Sequence, residues 1–245
     1  MLNAYIYDGL RSPFGRHAGA LSGIRPDDLL ATVIRALVER NSFDPATIED
    51  VIAGCTNQAG EDARNLARHA GLLAGLPIET AGLTVNRLCG SGLAAVAHAA
   101  QAVTCGEGEL FVAGGVESMS RAPFVISKSE TAFSRDAKLF DSTIGARFPN
   151  KKIIAQFGND TMPQTADNIA KDYGISREDS DRFAAASQAK YEAARADGKR
   201  RDAVAEMQAP LGERRLHRKQ PQHGVADAVA VDQTLAERHV AAALA

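Results

Sequence analysis

Strand-like and helix-like segments alternate through the first 117 residues, and this alternation constrains the fold more than any other feature. Ala4 to Asp8 predicts a short strand with Tyr5 and Tyr7 on one face, closed by the loop Arg11-Ser12-Pro13-Phe14-Gly15. Pro26-Asp27-Asp28 opens a helix, with acidic residues at its positive end. Leu29, Leu30, Val33, Ile34, Leu37 and Val38 follow it at helical spacing. Val51 to Thr56 predicts a strand, Ala63 to Ala74 a helix, and Leu83 to Arg87 a further strand. Gly92 to Thr104 predicts a helix of small residues, and Leu110 to Gly114 a buried strand. Strand and helix in turn imply an α/β domain, with a parallel or mixed sheet covered by helices.

The later chain changes character. Ser118 to Phe157 has no clear period and predicts a long loop region with short elements. Helices return at Thr165 to Asp172 and Ser176 to Ala196, the second behind a capping-box-like Ser176-Arg177-Glu178-Asp179. Lys199 to Lys219 carries seven Lys or Arg against three acidic residues, no aromatic residue follows Tyr191, and no Ile follows Ile175. Such a composition buries little apolar surface, which predicts a solvated, partly helical tail. The expected organisation is a core over 1–118, a region of loops and later helices over 119–198 and an atypical tail over 199–245.

Composition excludes several functions. A net charge of −2 argues against a general nucleic-acid binder, which needs a basic face. The longest apolar run, Gly90 to Val103, falls short of a membrane span and is interrupted by Ser91, His98 and Gln101. Met-Leu-Asn-Ala-Tyr-Ile-Tyr-Asp at the start has neither the basic nor the apolar region of a signal peptide. Three cysteines, Cys55, Cys89 and Cys105, predict reduced thiols in the cytoplasm rather than a disulfide framework.

The chemistry points to Cys89. Val85-Asn86-Arg87-Leu88-Cys89-Gly90-Ser91-Gly92-Leu93 sets a cysteine between a strand and a helix. The unpaired amides and positive end of a helix N-terminus suit a nucleophilic thiolate and can hold an oxyanion. Gly90 and Gly92 leave room for a long acyl thioester, a layout suited to covalent acyl transfer. Two other readings share this local spelling. One is a buried structural cysteine in a glycine-rich turn. The other is a dinucleotide fingerprint in Gly90-Ser91-Gly92-Leu93-Ala94-Ala95, with Glu117 as a late ribose-binding acid. No histidine spells an obvious base. His98 lies nine residues past Cys89, about 13 Å along a helix and near its opposite face.

Arg11-Ser12-Pro13-Phe14-Gly15, Asn86-Arg87-Leu88-Cys89-Gly90-Ser91-Gly92 and Ala113-Gly114-Gly115-Val116-Glu117-Ser118-Met119-Ser120 resemble the amino-terminal half of a thiolase, from about residue 3 to about residue 200. Asn57-Gln58-Ala59-Gly60-Glu61-Asp62 and Met119-Ser120-Arg121-Ala122-Pro123-Phe124 look most like 3-oxoadipyl-CoA thiolases, which share much of this spelling with acetyl-CoA acetyltransferases. The resemblance implies a mixed five-stranded sheet covered by helices, an inserted loop domain that holds CoA over the active site, and Cys89 as the acyl-accepting nucleophile. It places Met162, in Thr161-Met162-Pro163, against the pantetheine arm of CoA; a core or surface methionine has the same spelling. CoA and acyl-CoA are the implied partners, in a homo-oligomer when intact, with no permanently bound cofactor, metal, nucleic acid or membrane. The family's Asn-Glu-Ala-Phe, Gly-His-Pro and Cys-x-Gly-Gly-Gly motifs, which supply oxyanion hole, base and second cysteine, do not occur here. A truncation or a frameshift would account for their loss and for the odd tail, and leaves an inert fragment as the alternative to an active acyltransferase.

Overall fold

The computed structural model describes residues 4–143, 145–196 and 225–232. Those up to Pro123, with the strand at 225–232, form one compact unit, and those from Phe124 form a second. The first unit opens with β1 (Tyr5–Arg11), α1 (Pro26–Glu39), β2 (Ile48–Gly54) and α2 (Leu66–Ala74). It continues with β3 (Ala81–Val85), α3 (Ser91–Cys105) and β4 (Leu110–Glu117). β5 (Phe124–Ile126), β6 (Leu139–Asp141), α4 (Lys151–Phe157), α5 (Met162–Asp172) and α6 (Arg177–Ala196) make up the second unit, and β7 (Val225–Asp232) returns to the first.

The large sheet has the order β1-β7-β4-β2-β3. β2 lies parallel to both β3 and β4, whereas β7 runs antiparallel to β4 and β1. This is the mixed sheet expected from the alternation, with the five strands that the resemblance implied. In the central strands, successive side chains feed opposite cores, as the period of two requires. Val51 and Ala53 of β2, with Leu110, Val112 and Val116 of β4, join the apolar face of α1 and α2. Ile52, Phe111 and Ala113 join α3. Both faces are thus covered, giving three layers and near-continuous apolar strands.

α1 forms because Pro26 sits in its first turn, Asp27 and Asp28 meet its positive end, and Leu30, Ile34 and Leu37 make one buried stripe. α3 buries Ala95, Ala99 and Ala102, small residues at i, i+4 and i+7 that let its backbone approach the sheet. The interrupted run noted in the sequence is apolar on average: Leu88–Cys105 spans 18 residues at mean hydropathy 1.3, the length and composition of a membrane span. Here it is α3 and its leading turn, laid against the sheet.

Sequence reasoning found no strand in the tail, yet β7 lies between β1 and β4. Its sequence, Val-Ala-Asp-Ala-Val-Ala-Val-Asp, uses Val and Ala in place of the aromatic residues and Ile whose absence marked the tail as atypical. In the second unit β5 and β6 pair antiparallel, Phe140 meets Phe148 edge-on at 4.9 Å, and a reciprocal Thr161–Gln164 capping box starts α5.

The end of β2 meets the start of α3 backbone to backbone. A Cβ on Gly54 would lie 2.6 Å from the carbonyl carbon of Ser91, and one on Gly115 2.7 Å from the Gly54 oxygen. Gly92, one residue further, faces open space. Gly54→Ala is therefore expected to cost at least about 1–3 kcal/mol, because neither backbone can yield as a side-chain tip does. Gly92→Ala should leave stability unchanged or raise it by up to about 1 kcal/mol. Urea denaturation of the two variants checks both; equal stabilities would refute the contact.

Candidate functional site

β4, β2 and β3 end side by side, and Cys89 sits on the turn from the last of these into α3. Parallel α/β sheets present ligand sites at these carboxyl ends. The turn is held by its own side chains. Asn86 Oδ1 accepts from the Leu88 amide at 3.0 Å. Ser91 Oγ accepts from the Arg87 amide at 2.8 Å and donates to the Leu88 carbonyl at 2.6 Å. Leu88 takes a left-handed conformation, φ 49°, immediately before the cysteine. Cys89 is exposed, directly ahead of the cap residue Gly90. By helix geometry the amides of Gly92 and Leu93 have no intrahelical acceptor. Leu88 and Leu93, 71% and 69% exposed, form an apolar rim on this turn.

Glu117, the last residue of β4, faces the exit of β2. One carboxylate oxygen accepts from the Thr56 amide at 2.9 Å and from the Thr56 hydroxyl, the other from the Asn57 amide at 3.3 Å. That carboxylate is committed to the loop, and the glycine-rich turn follows the third strand in chain order, so the dinucleotide arrangement is not formed. Asn86 Nδ2 donates to the Thr56 carbonyl at 3.1 Å. Cys55, Asp62 and Glu117 bring one ligand-type atom each within 4.8 Å of the others. The Cys55 thiol lies 3.8 Å from Asp62 Oδ2. Burial, with Glu117 and Asp62 adding to it, pushes this thiol up to about 12, so its proton is retained.

A second set of charges ties the neighbouring loops. Arg121 grips Glu61 with two guanidinium nitrogens and donates to the Ser22 carbonyl at 3.1 Å. Arg25 reaches Glu61 at 3.2 Å and pairs bidentately with Asp27. The Arg121 hydrogen bonds hold the Glu61 carboxyl below the usual carboxylate range. His17, His69 and His98 are exposed on the surface. His98 faces Asp50, whose carboxyl burial raises, and the remaining three histidines lie outside the described residues. Met162 is exposed in the first turn of α5, within the second unit. Sequence reasoning quoted Asn86, Glu61 and Arg121 in motifs without giving them tasks, and gave Glu117 a different one. Nothing local marks a side chain that bonds across 30 or 60 residues.

The fold and this turn define a class: a three-layer α/β domain that presents an exposed cysteine at the carboxyl ends of parallel strands. Residues 4–236 match the family described as thiolase, N-terminal domain, and the chain belongs to the thiolase family. It is 58% identical over 199 residues to a beta-ketoadipyl-CoA thiolase of Acinetobacter baylyi, covering 81% of this chain and 50% of that one. It is 56% identical over 199 residues, with the same coverage, to the 3-oxoadipyl-CoA/3-oxo-5,6-dehydrosuberyl-CoA thiolase of Escherichia coli. Human mitochondrial 3-ketoacyl-CoA thiolase, solved in complex with CoA, superposes with a TM-score of 0.79 at 30% identity, over 94% of this chain and 65% of that one. The chain spans about half the length of the curated relatives it matches.

Because the Glu61 carboxyl is lowered in the folded state, its stabilisation is present above the ordinary carboxylate range and is lost as pH falls through the lowered value. Glu61→Gln should therefore be less stable than the parent near neutrality, and the gap should close as pH falls through and below the ordinary carboxylate range. Urea midpoints measured against pH test this; a constant gap would refute it. Native Cys55 should resist alkylation until the chain unfolds, which peptide mapping checks.

Proposed function

We propose that Cys89 is the nucleophile of a CoA-dependent thiolytic cleavage of a 3-oxoacyl-CoA, with 3-oxoadipyl-CoA as the substrate. The observation that carries this reading is an exposed cysteine on the turn into α3, in a chain of the thiolase family. The Cys89 thiolate adds to the 3-oxo carbon. The bond between C2 and C3 then breaks, C2 keeps the electron pair and takes a proton, and acetyl-CoA leaves. The succinyl group remains as a thioester on Cys89 until the thiol of free CoA takes it, releasing succinyl-CoA and the Cys89 sulfur. The names and identities of the relatives support the substrate, and the CoA-bound neighbour supports CoA as co-substrate. The apolar rim of Leu88 and Leu93 suits the methylene chain of an acyl thioester.

To residues 119–198 we assign the holding of CoA, with Met162 against the pantetheine arm; its exposed thioether supports that role. β3 is an edge strand whose main-chain groups suit pairing with a second copy, which supports a homo-oligomer. Free cysteines support a reducing cytoplasmic setting.

A specific observation favours a second reading for this 245-residue chain alone, that of a catalytically incomplete half. It holds no Gly-His-Pro or Cys-x-Gly-Gly-Gly motif, and the described histidines are exposed surface residues. A general acid–base group contributes about 10²–10⁴-fold, and an oxyanion donor about 10²–10³-fold. The helix end can steady a thiolate but cannot move protons. The isolated chain should therefore show no appreciable thiolysis of acetoacetyl-CoA or 3-oxoadipyl-CoA. Turnover of about 1–10³ s⁻¹ that is lost in Cys89→Ala would overturn the incomplete reading. Cys89 should still alkylate with iodoacetamide faster than Cys105, which lies at the negative end of the same helix. Equal or faster labelling of Cys105 would overturn the assignment of Cys89.

A further inference from the structure

Three candidates stand apart from the cysteine turn itself. The Cys55–Asp62–Glu117 cluster has the spacing of a cation site, but its carboxylates already accept from backbone amides and nothing else there points to an ion. The Asp50–His98 contact rests on titration alone. The row of hydrogen bonds joining the exits of β4, β2 and β3 carries an argument further, because it crosses three strands and ends on the turn that bears Cys89.

Glu117 fixes the amides of Thr56 and Asn57 at the exit of β2. The carbonyl of the same Thr56 is held by Asn86 Nδ2 at 3.1 Å, from the exit of β3. The other end of the Asn86 amide accepts from Leu88 at 3.0 Å, one residue before the cysteine. The Cys55 amide donates to the Val85 carbonyl at 3.1 Å and closes the gap between the two exits. Each group is thus used at both ends, so a displacement of Thr56 is passed to the cysteine turn. We propose that Glu117 and Asn86 are positioning residues for Cys89: the carboxylate at the end of β4 sets the exit of β2, which through Asn86 sets the turn that keeps the sulfur at the N-terminus of α3. This rests on the reading of Cys89 as the nucleophile.

Charge alone and positioning predict opposite results. Glu117→Gln removes a negative charge, and the charge change by itself can only favour a thiolate elsewhere in the unit and so speed Cys89. Loss of position slows it, because the sulfur leaves the positive helix end. The three cysteines make the test internal. Cys89 is the reporter, Cys105 at the far end of α3 the reference, and buried Cys55 the sign of a lost fold. The full chain is treated with iodoacetamide, and labelling rates are read by peptide mapping in the parent, Glu117→Gln and Asn86→Ala.

The Cys89-to-Cys105 rate ratio should fall about threefold to tenfold in both variants, the size of one net hydrogen bond, with Cys55 still protected. An unchanged ratio in both, or a rise in Glu117→Gln, overturns the inference while leaving Cys89 the nucleophile. Should Glu117→Gln expose Cys55, the decision passes to Asn86→Ala, whose residue is exposed and bonds only the two loops. A fall there supports the inference; no change, or exposure of Cys55 there too, overturns it. A parent ratio of one or less overturns the nucleophile reading, and the inference with it.

Discussion

The first turn of α3 rests on the end of β2 with no room for a side chain between them. Gly54 faces Ser91, and Gly115 of the adjacent strand faces Gly54, so three backbones meet within van der Waals distance. A sheet twists and a helix drifts, but this contact fixes one against the other at the point where the chain turns. The alanines along the inner face of α3 extend the same approach toward its C-terminus. The turn that carries Leu88, in its left-handed conformation, and the cysteine after it leads directly into that seat.

Electrostatics then fasten the loops that leave the strands. Glu117 binds through amides and a hydroxyl, whereas Glu61 binds through two arginines, Arg25 and Arg121. The difference has a physical meaning. A carboxylate that accepts from backbone amides sets the path of the main chain directly, as an N-cap does. One that bridges long arginines ties segments that are distant in sequence, here the loop before α1, the loop after β2 and the turn after β4. The two sets share the segment from Thr56 to Asp62.

The first four strands and the covering helices were largely legible in the sequence, because apolar period and turn residues are local signals. Val51 to Thr56 and Leu110 to Gly114 read as strands from their own composition, and α1 from its Pro26-Asp27-Asp28 start. The place of Cys89 on a turn between a strand and a helix was legible from that succession of elements. What was hidden is long-range. Glu117 reads as the end of a glycine-rich strand, and only the parallel register of β4 with β2 brings it to Thr56, 61 residues away. β7 was missed for the opposite reason. A short run of Val and Ala broken by Asp227 and ended by Asp232 is a weak local signal, and its place comes from the edges of β1 and β4 on either side.

The inner and outer faces of α3 are built differently. Its inner face is complete, with Ala95, Ala99 and Val103 fully buried. Its outer face carries Leu93 and Ala97 beside the exposed polar side chains of His98, Gln101 and Thr104, in a helix with no Asp, Glu, Lys or Arg in its fifteen residues. Uncharged polar groups thus interrupt its apolar surface, and Leu93, just past the cysteine turn, is the large apolar side chain that α3 leaves exposed. The turn at its N-terminus offers the Cys89 thiol and two amides without an intrahelical acceptor. Exposed apolar side chains and the thiol thus fall at the same end of one helix, so that anything that buries Leu88 and Leu93 also screens the sulfur from water.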